Sequence, residues 1–329
     1  MDSLAVALLA FLASAVVVIV AGMNLARLGD AISDITGWGR AFVGTVLIGS
    51  ATSLPELVTN VSANILGLPG LVLGNIFGAN LLNVAIISAV ALVAGVRNVY
   101  GGGQRDTLML FSLALTLAVI ALAFSITGDT ALAHGSLGGA VLIVAYLAGT
   151  FLVYRFRTTT VHISGEPPAT ERHAGKVYGQ FALAALVIIV SAPVLTISVD
   201  AIADATGIAR SFLGVLAVSI VTTMPETSVT VVAVLRGSYR LALGNLFGTN
   251  AFNLAILFFI DLASADALLD AAGPEHLVVA GSGVALMVTS LLTLISSRLP
   301  ALRWARVLPV ASVAAYPVLM FWVFRLSQQ

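Results

Sequence analysis

Ten stretches of this chain are long and apolar enough to cross a bilayer, and that feature leaves few folds open to it. A helix needs roughly 20 apolar residues to traverse about 30 Å of hydrocarbon. The stretches run over 4–23, 41–64, 70–96, 107–126, 136–154, 177–199, 211–235, 241–262, 276–296 and 304–325. A β-barrel would show short alternating segments in place of continuous apolar runs. Composition points the same way: 59% of the 329 residues are hydrophobic and 9% are charged, against about 45–50% and about 25% in soluble domains. The expected fold is an all-α polytopic membrane protein with ten transmembrane helices. The first stretch reads as a retained span, because it lacks a basic leader and stays apolar beyond Ala13-Ser14-Ala15.

The basic residues orient the spans. With the N-terminus outside, Arg27, Arg40, Arg97, Arg105, Arg155, Arg157, Arg172, Lys176, Arg236, Arg240, Arg298, Arg303 and Arg306 fall inside. Only Arg210 and Arg325 fall outside, so both termini are expected outside. The longest loop, 155–176, is a cytoplasmic linker carrying Gly165, Pro167 and Pro168, and it separates two five-span halves, 1–154 and 177–329. Fifteen basic residues balance fifteen acidic ones, which removes nucleic-acid binding by a basic surface. With no cysteine, disulfides, thiolate metal sites and cysteine nucleophiles are excluded.

The sequence repeats at an offset of 170 residues without a gap. Asp30 to Gly37 faces Asp200 to Gly207, and Arg40 faces Arg210. Thr52-Ser53-Leu54-Pro55-Glu56 faces Thr222-Thr223-Met224-Pro225-Glu226. Leu73 to Asn80 faces Leu243 to Asn250, and Asn83 faces Asn253. Between 30–86 and 200–256, 25 of 57 positions are identical. Two greasy helices matched by chance would align Leu with Val, not Pro-Glu with Pro-Glu. Five spans separate the copies, and five is odd, so the second copy is expected to cross the membrane in the opposite sense. Inverted-topology repeats mark secondary transporters, whose substrates bind near the midplane between the repeats.

Away from the span ends, Glu56 and Glu226 are the only clearly ionisable residues within the spans. A charged side chain at mid-helix costs about 2.5–3.5 kcal/mol on the insertion scale, a cost that persists where the group has a function or a partner. No intramembrane Arg or Lys is at hand, so a bound cation is the natural compensation. Pro55 has no N–H for the carbonyl of Ala51, nor Pro225 for that of Val221, and freed backbone at membrane depth is tolerated where it lines a cavity. Each half thus offers backbone oxygens, hydroxyls (Thr52 and Ser53; Thr222 and Thr223) and one carboxylate. Asn83 and Asn253 add an amide oxygen each from the next span. Oxygen-only ligands suit a hard cation such as Ca²⁺, which takes six to eight.

Plainer readings compete at several positions. A proline in a membrane helix is often only a kink. The glycines of Gly74-x-x-x-Gly78 and Gly244-x-x-x-Gly248 read as close helix packing. Asn75, Asn80, Asn245 and Asn250 either satisfy backbone at helix breaks or touch an ion. His134, His162, His173 and His276 lie in loops or at span ends without metal-ligand spacing. Asp266, Asp270 and Glu275 form an acidic loop, and Asp261, whose repeat mate is Ala91, is expected at the membrane interface.

Gly49-Ser50-Ala51-Thr52-Ser53-Leu54-Pro55-Glu56, Gly74-Asn75-Ile76-Phe77-Gly78-Ala79-Asn80 and their partners in the second half resemble the two α-repeats of the sodium/calcium exchanger family, within the cation/calcium antiporter superfamily. The resemblance implies eight helices around the ion sites, with long first and sixth helices sliding across them. It implies one Ca²⁺ held by Glu56 and Glu226 with backbone oxygens of Thr52 and Thr222. It also implies Na⁺ positions lined by Ser53, Thr223, Ala79 and Thr249 and completed by backbone oxygens of Gly49 and Ser219. Two departures stand out: sodium-coupled relatives commonly carry Asp where Asn253 stands, and Ser where Ala79 stands.

These readings predict a secondary active antiporter exchanging Ca²⁺ for Na⁺ by alternating access. Charge counting keeps a rival open, because two protons neutralise Glu56 and Glu226 as well as one Ca²⁺ does, and buried carboxyls can load protons. Ca²⁺/H⁺ or Na⁺/H⁺ exchange on the same fold is that alternative. The chain has no His-Glu-x-x-His, no Gly-x-Gly-Asp in a span and no paired Asp-rich motif, so it is not expected to be an enzyme. No cofactor is expected beyond the transported ions. The expected partners are those cations and the bilayer of a prokaryotic cell membrane, with no protein partner implied.

Overall fold

The computed structural model describes residues 3–36, 53–101, 105–132, 134–156, 174–263, 267–296, 304 and 306–329. In lipid every backbone polar group must be bonded within its own segment, and apolar runs of this length meet that condition as helices. They form α1 (Leu4–Thr36), α2 (Leu54–Ile65), α3 (Pro69–Ala94), the short α4 (Val96–Gly101), α5 (Arg105–Thr127), α6 (Leu137–Phe156), α7 (Ala174–Thr206), α8 (Arg210–Thr222), α9 (Met224–Leu235), α10 (Tyr239–Asp261), α11 (Pro274–Ser296) and α12 (Leu308–Ser327). Eight are long and apolar enough to cross a membrane, and α8 with α9 makes a further span bent by 50°. Of the expected stretch 41–64, residues 41–52 lie outside the described residues, and α2 is the remainder.

The 170-residue offset seen in the sequence reappears in the helices. Shifting both ends of α1 by 170 gives α7, and shifting both ends of α2 gives α9. The α2 and α9 helices also end alike, on Gly67 (φ 72°) and Gly237 (φ 73°), left-handed positions that glycine adopts without strain. At 33 residues α1 and α7 are the longest helices. At 1.5 Å per residue each spans about 50 Å, well beyond a hydrocarbon core of about 30 Å. They pack on one another along their length. Each then crosses to the other half's Pro-Glu helix, α1 onto α9 and α7 onto α2.

Helices α3 and α10 are the most buried spans and form the centre. Their glycines and asparagines do not break them. Glycine earns its place there by backbone contact: a Cβ on Gly78 would stand 2.6 Å from the Val215 carbonyl oxygen, and one on Gly214 would stand 2.5 Å from the Leu71 oxygen. Gly74 meets the Ser211 carbonyl in the same way. The facing segment, Gly214–Val218, is wound as a π-helix, a local widening common at functional sites. Packing is therefore the role of Gly74 and Gly78.

The ends of the helices correct one expectation. Asp261 does not reach the interface: it is fully buried, accepting a hydrogen bond from Ser136 Oγ at 2.5 Å and from the Leu268 N–H at 3.0 Å. It ties α10 to the turn before α6 and to the turn that follows α10, an arrangement no alternation of apolar residues announces. Asp270, on that second turn, accepts from the Asp129 N–H at 2.6 Å. At the start of α11, His276 is buried, with Nδ1 accepting from the Gly273 N–H and Nε2 within 2.9 Å of the Gly70 carbonyl. Arg210 bonds Asp200 and Asp204, each at 2.5 Å, and so pins the start of α8 to the end of α7.

Candidate ion site

The two Pro-Glu motifs fold alike because proline imposes the same local geometry twice. Ser53 (φ −89°, ψ 10°) and Thr223 (φ −84°, ψ 0°) precede α2 and α9, each with proline in the opening turn and glutamate directly after it. Pro225 has no N–H to offer the Val221 carbonyl, and the chain bends there between α8 and α9. Each glutamate thus sits in the first turn of its helix, where the exposed N–H groups and the macrodipole favour negative charge. Both side chains are fully buried.

The halves exchange contacts at this level. Ser53 Oγ, from the first motif, donates to Glu226 Oε1 of the second at 3.4 Å. Thr222, from the second, stands beside Glu56, and the two carboxyl groups interact electrostatically. The Thr222 hydroxyl donates to Asn75 Oδ1 at 3.2 Å, and neither Glu56 oxygen accepts a hydrogen bond from another described residue. Thr223 Oγ1 donates to the Ser219 carbonyl at 2.7 Å, which leaves lone pairs on both oxygens. Gly49, Ala51 and Thr52 lie outside the described residues.

Asparagines of α3 and α10 adjoin the glutamates through Asn75 and Asn245. Positions 75, 79 and 83 are spaced by four, as are 245, 249 and 253, so each set lies on one helix face. The α3 face begins at Asn75, which meets Thr222 and donates to Asn60 Oδ1 at 2.9 Å. The α10 face begins at Asn245, whose Nδ2 donates at 3.1 Å to the Glu226 carbonyl and to Thr230 Oγ1. Further along, Asn83 Oδ1, Asn253 Oδ1 and Thr249 Oγ1 are buried without a hydrogen bond. Among the described residues no three His, Cys, Asp or Glu gather to hold a metal. A cation at this site would be held by two carboxylates and a set of neutral oxygens.

Which partners these polar side chains choose was not expected from the sequence. The Asn75–Asn60 bond has its counterpart in Asn245–Thr230, but Asn60 and Thr230 differ, so identity across the repeat gave no signal. Asn80 and Asn250 are identical across the repeat, and that did mark them. Each donates its Nδ2 to the other's backbone carbonyl at 3.2 Å. Such reciprocity is what a local two-fold axis produces.

The sodium/calcium exchanger protein family matches the sequence over residues 6–155 and 176–325. The chain belongs to that family. This exchanger is 26% identical over 256 residues to CaxA of Alkalimonas amylolytica, covering 76% of this chain and 78% of that one. It is 23% identical over 324 residues to the sodium/calcium exchanger MaX1 of Methanosarcina acetivorans, covering 87% and 90%. Among solved structures, the sodium-calcium exchanger NCX_Mj superposes with a TM-score of 0.62 at 18% identity, covering 96% of this exchanger and 98% of that chain. The H⁺/Ca²⁺ exchanger CAX superposes at 0.68 and 16% identity, covering 98% and 91%. The shared fold is thus one that serves a sodium-coupled and a proton-coupled protein. Family membership sets this chain among multi-pass membrane transporters, not enzymes.

Proposed function

We propose that this protein is a secondary active antiporter that exchanges Ca²⁺ for Na⁺ across the cell membrane. Supporting the reading above all is one observation: two repeat-related glutamates are fully buried and within reach of one another's charge, and both Glu56 oxygens, like Asn83 Oδ1, Asn253 Oδ1 and Thr249 Oγ1, are buried without a hydrogen bond. A divalent cation neutralises that pair and uses those oxygens. Ca²⁺ is held by Glu56 and Glu226 with oxygens of Thr52, Thr222, Asn83 and Asn253. Na⁺ uses overlapping positions at Ser53, Thr223 and Thr249. The two halves, 1–154 and 177–329, joined by the linker 155–176, form ten spans of inverted topology with both termini outside.

Proton coupling is the second reading, favoured by specific residues. Asn253 and Ala79 add neither a charge nor a hydroxyl, so the site holds two negative charges, and three Na⁺ would leave an excess positive charge in a low-dielectric interior. Two protons would balance one Ca²⁺. Ca²⁺ uptake into proteoliposomes under an imposed Na⁺ gradient, and separately under a pH gradient, tests the choice. Uptake driven by the Na⁺ gradient supports the first reading. Uptake driven by the pH gradient alone rejects it in favour of the second, and Ca²⁺ flux indifferent to both would indicate a passive pathway.

A further inference from the structure

We propose that Asn80 and Asn250 are positioning residues that decide which end of the Asn253 and Asn83 amides faces the ion site. The inference rests on the reading of Asn83 and Asn253 as cation ligands. Its logic starts from two backbone carbonyls, which accept hydrogen bonds and never donate them. Asn80 directs its side chain at the Asn250 carbonyl, and Asn250 directs its own at the Asn80 carbonyl, both at 3.2 Å. Each must therefore present Nδ2 there, and each Oδ1 is turned the other way. Asn80 Oδ1 meets Asn253 at 3.2 Å, and Asn250 Oδ1 meets Asn83 at 2.9 Å. An oxygen only accepts, so Asn253 and Asn83 must supply their NH₂ groups. Their own Oδ1 atoms are left over, buried and without a hydrogen bond.

The four amides form two mirrored chains of constraints, each anchored on one backbone carbonyl. Every NH₂ group in them is used, and two oxygens emerge on the helix faces that carry Thr249, Asn245 and Asn75. An amide turned the other way would aim N–H groups at a cation, which repels it. A lone asparagine in a cavity could turn about its last torsion at little cost, because that torsion is broad and nearly two-fold. Asn80 and Asn250 remove the choice. The same arrangement serves Ca²⁺ and Na⁺, since both seek oxygen.

A double-mutant cycle on the full chain in proteoliposomes tests this. Asn80→Ala removes the acceptor that holds the Asn253 amide, and it is expected to raise the half-saturating Ca²⁺ concentration roughly five- to tenfold. In an Asn253→Asp background the residue has two oxygens and no amide to misdirect. There Asn80→Ala is expected to leave half-saturation unchanged, or to lower it by removing the Asn80 oxygen that faces the new carboxyl. A purely structural role predicts the same penalty in both backgrounds, and that result overturns the proposal, as does an unaltered half-saturation in Asn80→Ala alone. If Asn80→Ala fails to fold, the mirror cycle of Asn250→Ala with Asn83→Asp makes the same measurement. Failure to fold in every background would mark both residues as structural and also overturn it. Wild-type protein that moves no Ca²⁺ under either gradient would instead defeat the reading beneath it.

Discussion

Ser53 Oγ donates a hydrogen bond to Glu226 Oε1 at 3.4 Å, joining residues 173 positions apart in the chain. The serine opens one Pro-Glu helix and the glutamate belongs to the other, so each half contributes to the surroundings of its partner's carboxylate. Any movement that separates the motifs must break this contact. A cation bound there would thus meet oxygens drawn from both halves across the junction.

Removing either charge should disable it. Glu56→Gln and Glu226→Gln are each expected to reduce gradient-driven Ca²⁺ uptake to background. A charged hydrogen-bonding group contributes about 1.5–3 kcal/mol, and a neutral amide also offers N–H groups where a cation needs oxygen. Uptake of radioactive calcium into proteoliposomes, normalised to inserted protein, checks both. Retained uptake in either variant would remove that glutamate from the site.

The coupling ion should respond to one side chain. Asn253→Asp adds a third carboxyl among buried oxygens, and it is expected to strengthen the dependence of Ca²⁺ transport on Na⁺. The check is the ratio of uptake under a Na⁺ gradient to uptake under a pH gradient, in variant and wild type. An unchanged ratio would mean that residue 253 does not set ion preference.

The contact between α3 and the π-wound part of α8 should be intolerant of even one methyl group. A Cβ at residue 78 would stand 2.6 Å from the Val215 carbonyl oxygen, a main-chain atom that cannot swing aside. Gly78→Ala is expected to destabilise the fold by about 1–3 kcal/mol, read as a lower thermal midpoint in detergent. Gly244→Ala makes the control, because its Cβ would meet only Leu110 Cδ1, at 3.9 Å.

Asp261 should matter to stability and not to ion selectivity. Asp261→Ala leaves the buried Leu268 N–H without its acceptor, at a cost of about 1–3 kcal/mol. Asn in its place keeps one oxygen for that N–H and can offer its NH₂ to Ser136 Oγ, so the milder loss is expected there. Thermal unfolding of both variants, beside their half-saturation for Ca²⁺, separates the two effects. A shift in Ca²⁺ half-saturation with no loss of stability would contradict the structural assignment.

Much of the fold was legible because it follows from local chemistry. Continuous apolar runs must become helices in lipid; their lengths predicted ten spans, and among the described residues eight helices and a bent ninth span are long and apolar enough to cross. The match of Asp30 to Asn83 with Asp200 to Asn253 foretold the matched helices α2 and α9. Pro225 foretold the bend ahead of Glu226. The lengths of α1 and α7 were underestimated, since the apolar runs stop near residues 23 and 199 while the helices continue to Thr36 and Thr206. Polar residues beyond the hydrocarbon still favour helix, and hydropathy does not see them. Asp261 was misplaced for a related reason: it sits at the end of an apolar run, and only its contacts with Ser136 and Leu268 show that it is buried.

The sequence alone determined most of the spans, the duplication and the repeat-related pair of buried glutamates, because each depends on residue type and spacing within one segment. Only the tertiary structure decided how the segments complete one another. Ser53 bonding Glu226, Gly78 meeting Val215 and the reciprocal bonds of Asn80 and Asn250 all join residues more than 130 positions apart. Periodicity gives the face of a helix on which a side chain lies, but not the neighbour it meets or the atom it presents. That choice belongs to directional hydrogen bonds between helices, where a carbonyl can only accept and an amide must turn to suit it.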